Sequence, residues 1–270
     1  KSRSAISDEE VIHKEVKGKL WYLKYPIIDS DQYLTVATTR PETMLGDSAV
    51  AVNPRDKRFK KYIGSSIILP LTNREIPIIS DDFVDPEFGT GCVKVTPAHD
   101  PNDFAMGERH DLKFINIMND DASLNKNVPK KYEGMSREKA RQTIVDDINV
   151  LGLLEKIEDY TNKVGFSERG DVPIEFYMSR QWFMKMSELA KPAIDAVNEG
   201  KINFHPNHWR KTYNHWMNNI KDWCISRQLW WGHQLPVWYN KTNNSEIHVS
   251  VEGPDDIENW VQDPDVLDTW

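Results

Sequence analysis

Cysteine is scarce: the 270 residues contain two, Cys92 and Cys224, far apart in the chain. That excludes a disulfide framework and a cysteine metal site, so a reducing, cytoplasmic location is the default expectation. Long apolar runs are missing, and Lys1-Ser2-Arg3-Ser4 carries no secretory pattern, so no membrane partner is expected. There is no HExxH, no CxxC and no glycine-rich phosphate loop. His205 and His208 form an isolated His-x-x-His that reads as packing or surface. Neither a metal nor a cofactor is expected. Positive charge is also short, with a net charge of −8, which argues against gripping nucleic acid with the whole surface. Local contact stays open at Lys57, Arg58, Lys60 and Lys61 and at Lys130 and Lys131, although solvated surface is the blander reading of each.

What is present suits a globular protein: 39% hydrophobic and 28% charged residues, in a chain long enough for one large domain or a domain with an appendage. Leu20–Ile28 and Tyr33–Thr38 read as a hairpin, and Ile67–Leu71 and Ile76–Ile79 as a second one around Thr72-Asn73-Arg74. Ala49–Val52, Cys92–Thr96 and Phe114–Met118 add strands. Many short strands punctuated by Pro and Gly predict an α+β fold: a closed or strongly curved sheet, barrel-like, of short mixed strands with inserted helices. A helix capped by Ser136 and closed by Gly152 follows. Two more are expected at 180–198 and after Asn207, where Trp209, Tyr213, Trp216 and Ile220 share a face. Six of the ten tryptophans fall between Trp209 and Trp238, a stripe typical of a core or an inter-domain surface. The expected organisation is a polar linker and strand region at 1–19, a sheet-rich body at 20–162, and a mainly helical return segment at 163–270.

Two polar stretches carry the chemistry. The run from Phe88 to Asp103 opens as a glycine turn and becomes a strand. There Lys94 and Thr96 share one face and Val93 and Val95 the other. The strand stops at Pro97. A helix start follows, with Asp100 at an N-cap position, Pro101 at the first helical position and Asp103 at the third. Asp100 reads equally as a simple cap, Asp103 as a partner of the helix dipole, and His99 as a packing histidine. The second stretch, Tyr33–Asp47, ends a strand with Thr38, Thr39, Arg40 and Thr43. A threonine wall can limit the size of a ligand while bonding its polar parts, and Arg40 can hold an anion or a ribose.

These runs, Thr38-Thr39-Arg40-Pro41-Glu42-Thr43-Met44-Leu45-Gly46-Asp47 and Lys94-Val95-Thr96-Pro97-Ala98-His99-Asp100-Pro101-Asn102-Asp103, together with Asn53-Pro54 and Phe88-Gly89-Thr90-Gly91, resemble the editing domain of valyl-tRNA synthetases. This is the connective peptide inserted into the class I catalytic fold. Asp222–His233 and the terminal Asp263–Trp270 resemble the family's return into that fold. The resemblance makes 20–162 the editing domain and 163–270 the return or stem segment. The HIGH and KMSKS signatures are absent, and Lys185-Met186-Ser187 is a decoy within a predicted helix. The chain is therefore expected to be an internal piece, unable to activate an amino acid alone. Lys94-Val95-Thr96 and Leu229-Trp230-Trp231-Gly232-His233 favour valine over the isoleucine and leucine enzymes.

The resemblance implies hydrolysis of threonyl-tRNA(Val), with the acceptor end of that tRNA and the rest of the synthetase in cis as partners. Asp103 would hold the α-ammonium. Lys94, with Thr96 and Asp100, would read the threonine hydroxyl. Thr38, Thr39, Arg40 and Thr43 would place the terminal adenosine and limit size, with His99 beside them. Direct water attack is expected, since no Ser or Cys nucleophile with a base is apparent. Two rivals are a non-catalytic insertion that only docks the acceptor end, and a nucleotide-binding module, which the missing phosphate loop opposes.

Overall fold

The computed structural model describes residues 3–268. Lys1 and Ser2 of the expected linker, and Thr269 and Trp270 of the terminal block, lie outside the described residues. The chain forms two compact units. One comprises Ile12–Phe166 with Asp171–Ser179; the other gathers the N-terminal residues to Val11, Ser167–Gly170 and the chain from Arg180 on.

In the first unit, β1 (Val11–Pro26) and β2 (Tyr33–Thr38) form the expected hairpin, from Trp21↔Thr38 to Pro26↔Tyr33. Strand β1 begins inside the stretch read as a linker. Alternation directs Leu34, Val36 and Thr38 of β2 inward, where they join Leu23 and Tyr25 of β1 in burial. After a buried 3-10 segment, Pro41–Gly46, comes β3 (Ala49–Val52), buried along its whole length. The second hairpin, β4 (Ser66–Leu69) with β5 (Arg74–Ser80), forms as the turn residues foretell. β5 runs parallel to β3, and β3 is antiparallel to β6 (Cys92–Val95), in the order β4-β5-β3-β6. Helices α1 (Pro101–Arg109) and α2 (Arg137–Val150) follow, then β7 (Leu154–Ser167), which completes the sheet β2-β1-β7. Ser136 caps α2 by accepting from Lys139 N at 3.3 Å.

The closed barrel expected of this unit does not form. Among the described residues the two sheets are joined only by the isolated bridge Ile27↔Ile67 at the end of β1, and β2 and β6 approach each other without a hydrogen-bonded ladder. The strands there are short, and β6 is fenced by Gly91 and Pro97, so no ladder can extend across the seam. Phe114–Met118 is not a strand; only the bridge Met118↔Leu124 remains. Side chains take its backbone groups instead: Ile117 N donates to His99 Nε2 at 3.0 Å, and Asn125 and Asn127 donate to Asn116 O at 3.0 and 2.7 Å. The alternation along β6 holds. Val93 and Val95 pack with Ala49, Ala51 and Met106 in a small core, while Cys92 joins the larger core of Leu23, Tyr25, Leu34, Met44 and Val50.

The second unit is less helical than expected. A short β8 (Phe183–Met184) pairs with β9 (Trp223–Cys224), so the helix predicted from Arg180 starts only at Met186. That helix, α3 (Met186–Asn198), is capped from outside, Met186 N donating to Asp222 Oδ1 at 3.1 Å. Helix α4 (Trp209–Asn218) begins after His208, one residue later than an Asn207 cap implies. β10 (Ser226–Arg227) pairs with β14 (Val266–Leu267), and β11 (Val237–Asn240) lies between β12 (Ile247–Val249) and β13 (Trp260–Gln262). At the centre Arg227, fully buried, donates to Glu10 Oε2 at 2.9 Å and to Asp268 Oδ2 at 2.5 Å. The tryptophan stripe is not core: Trp216 is 72% and Trp230 95% exposed.

Candidate active site

Register brings the two polar stretches together. β6 lies against β3 with Lys94 opposite Val50, and Ser48 N donates to Val95 O at 2.8 Å, so Asp47 enters directly beside Lys94 and Thr96. Gly46 lets the chain pass closely at this crossing. A Cβ there would meet Ile115 O at 3.0 Å, Ile117 Cγ2 at 3.2 Å and Thr96 Cγ2 at 3.3 Å.

Lys94 Nζ lies 2.5 Å from Thr96 Oγ1 and 3.4 Å from Asp47 Oδ1. The Thr96 hydroxyl donates to Asp47 Oδ1 at 2.6 Å, and the Tyr25 phenol donates to Oδ2 at 2.7 Å. Burial raises the Asp47 carboxyl above its ordinary range, opposed chiefly by the Lys94 cation. Burial and the Asp47 charge likewise push the Tyr25 phenol well up, so it remains a donor.

Asp103 sits at the third position of α1, and Oδ2 reaches back to accept from Thr96 N at 2.8 Å. Its Oδ1 has no hydrogen-bond donor among the described residues. Burial pushes its carboxyl up to about 6, against the pull of Lys94 and of the Thr96 amide, and with the help of the Asp100 and Asp47 charges. It is thus a carboxylate at neutral pH, short of partners and ready for a cation. Asp100 is the N-cap, accepting from Asn102 N at 2.8 Å and Asp103 N at 3.3 Å through one oxygen. Its first contribution is to start the helix that aims Asp103.

His99 is spent on backbone at both nitrogens. Nδ1–H donates to Phe176 O at 3.1 Å, and Nε2 accepts from Ile117 N at 3.0 Å. Burial lowers its pKa to about 4, so the ring is neutral and holds loops in place. Arg40 is held by its neighbours: Nη1 donates to His99 O at 3.0 Å, and Nη2 pairs with Glu175. Glu175 also pairs with Arg137, and buried Glu42 takes a two-pronged contact from Arg141 at 2.6 and 2.8 Å. Thr38 Oγ1 accepts from Arg40 N at 3.0 Å, and Thr43 Oγ1 donates to Arg40 O at 3.0 Å. The two threonines therefore shape the turn that presents Arg40, with Thr39 half-buried between Thr38 and Arg40.

All nine anticipated residues belong to the first unit. Sequence reasoning missed Asp47, Tyr25, Glu175 and the Phe176 carbonyl. Asp47 stood inside the quoted run but was given no role there. Glu175 and Phe176 lie some seventy residues downstream with no local signal. The Cys92 thiol is not poised as a nucleophile: burial raises it to about 12. Among the described residues no cluster of three or more His, Cys, Asp or Glu could hold a metal, and no helix is long and apolar enough to cross a membrane.

The arrangement sets an ammonium, Lys94, and a carboxylate with one oxygen lacking a donor among the described residues, Asp103, in one small site. The model of the tRNA synthetases of class I (I, L, M and V) matches residues 1–270. The valine–tRNA ligases of Lacticaseibacillus casei and Bacillus subtilis (strain 168) are 58% identical over 271 residues and 54% identical over 270. Each alignment covers 100% of this chain and 30% of the relative, so the chain spans about 30% of the length of these curated proteins. A crystallised ternary LeuRS–tRNA–LeuAMS complex from Agrobacterium radiobacter K84 aligns at TM-score 0.42 and 16% identity, over 95% of this chain and 30% of that one. The chain belongs to the class I tRNA synthetases, and along its whole length it is homologous to the valyl-tRNA synthetases.

Proposed function

We propose that the first unit is a post-transfer editing site that hydrolyses the threonyl ester of threonyl-tRNA(Val). The need is physical, and valine-specific synthetases are its standard illustration: a hydrophobic valine pocket cannot strongly reject an isostere carrying a hydroxyl. A second site must read that hydroxyl. The observation that carries the reading is the pairing of a hydroxyl-reading cation with an under-partnered carboxylate. Lys94 Nζ, on Thr96 and Asp47, keeps one proton to donate, and Asp103 Oδ1 in the same small site lacks a donor among the described residues. Asp103 takes the α-ammonium and Lys94 the side-chain hydroxyl. Arg40, braced by Glu175 and the His99 carbonyl, lies against the terminal adenosine. His99 has no free nitrogen, and the Thr96 hydroxyl is buried and donates to Asp47, so water attacks the ester directly. The partners on this reading are the threonine-bearing acceptor end of tRNA(Val) and the remainder of the synthetase in cis, in the cytoplasm.

The test is to incubate the full-length protein with threonyl- and valyl-tRNA(Val) and follow amino-acid release. Faster loss of threonine than of valine is expected. Tight binding of either ester without release of threonine identifies a docking insertion and overturns the reading.

A further inference from the structure

Asp47 has no solvent exposure, yet three polar hydrogens converge on it. Oδ2 accepts from the Tyr25 phenol, and Oδ1 from the Thr96 hydroxyl and, at 3.4 Å, the Lys94 ammonium. The hydroxyl of Thr96 has one proton, and Asp47 takes it. Its oxygen is therefore turned towards Lys94 as an acceptor, with Nζ 2.5 Å away. Two of the ammonium's three protons are assigned in this way, and one is left. The backbone leaves Asp47 little freedom. Its N–H donates to Met44 O at 3.0 Å, the next residue is tied to Val95 O, and Gly46 is wedged against Ile115 and Thr96.

We infer that Asp47 is a specificity-positioning residue. It fixes the direction of the Thr96 hydroxyl and the seat of the Lys94 ammonium, so that the pocket presents a single N–H donor at a fixed point. The inference rests on the deacylase reading above. Asp47 is too deep to touch a ligand, so it acts through the other two groups. Without its charge, Thr96 can rotate and turn its own proton into the pocket, and the ammonium loses its anchor. A fixed donor distinguishes a ligand hydroxyl from a methyl; a wandering one does so poorly.

The readout is the ratio of threonyl-tRNA(Val) to valyl-tRNA(Val) deacylation by the full-length protein. A purely structural role would slow both esters alike and leave this ratio unmoved. Asp47→Asn keeps the shape but turns one acceptor oxygen into a donor that faces other donors. It should lower the ratio about tenfold, the worth of one misdirected hydrogen bond. Combined with Lys94→Met, it should lower the ratio no further than Lys94→Met does alone. Equal slowing of both esters, or effects that multiply in the double variant, overturns the inference. Thr96→Val, nearly isosteric, cuts the same relay should Asp47→Asn fail to fold. It too should lower the ratio, and an unchanged ratio overturns the relay. A wild-type protein that does not discriminate the two esters overturns the deacylase reading itself. One that discriminates, beside an Asp47→Asn that does so equally, overturns only the part given to Asp47.

Discussion

Replacing Asp103 by asparagine should make the protein more stable and less active at once. The buried carboxyl titrates at about 6 in the fold, against an ordinary value of 3.8. An acid whose folded pKa is raised favours the folded state only when protonated. That stabilisation is complete below about pH 4 and is lost as pH rises through 6. Above pH 6 the fold therefore carries the full cost of the charge, roughly 3 kcal/mol for a pKa raised this far. The Asp103→Asn side chain would keep an oxygen for the Thr96 amide and remove the charge. Part of the cost should return, about 1–3 kcal/mol at pH 8, or a few degrees in melting temperature. Urea unfolding at pH 8 and pH 4 measures it, and the gain should shrink towards zero at the lower pH. Deacylation of threonyl-tRNA(Val) should fall by about 10² or more, because the α-ammonium loses a desolvated partner worth roughly 2–5 kcal/mol. In the wild type, kcat/KM should decline below pH 6 as Asp103 takes up its proton. An Asp103→Asn variant that is destabilised at pH 8, or gains stability equally at both pH values, refutes the electrostatic account. One that keeps full activity refutes the role.

Lys94→Met should lower the threonyl-over-valyl deacylation ratio by about tenfold or more, for one buried donor worth about 1–3 kcal/mol; an unchanged ratio makes Lys94 a bystander. His99→Ala should cost about 2–4 kcal/mol, because the Ile117 amide and the Phe176 carbonyl lose their partner. With its pKa lowered to about 4, wild-type His99 lends stability that is complete above about pH 6.5 and lost as pH falls through 4. The variant should unfold with less dependence on pH across that window, as denaturant titrations would show. Arg227→Met should destabilise the second unit by up to about 3–5 kcal/mol, since Glu10 and Asp268 lose their buried cation and keep only the partly exposed Arg169; thermal melting that matches the wild type refutes that estimate.

Local chemistry was legible and long-range chemistry was not. The two hairpins, the alternation of β6 and the Asp100 cap follow from turn residues, a period of two and capping preference, and each involves neighbours in sequence. Bringing Lys94, Thr96 and Asp103 into one site needed only a strand followed by a helix. Sheet closure depends on whether two distant edges meet, and no property of β2 or β6 alone decides that. Phe114–Met118 has strand composition, but asparagine side chains and one imidazole outcompete a ladder for its backbone. The start of α3 was misjudged because its cap, Asp222, comes from far along the chain. Asp47 escaped notice since an aspartate after glycine looks the same whether it ends in water or beneath a lysine.

The segment Asp171–Ser179 bears on how this unit should be cut out for study. Sequence texture changes near residue 162, and β7 ends at Ser167, so either point looks like a natural place to stop. Ile174 N nonetheless donates to Gly165 O, Glu175 braces Arg40 and Arg137, and Phe176 O receives the imidazole proton of His99. An expression clone stopping at either point would retain all nine anticipated side chains and still leave Arg40 without its brace and His99 with one nitrogen open. Weak turnover from such a clone would report the missing segment, and a clone carried through Ser179 would restore it.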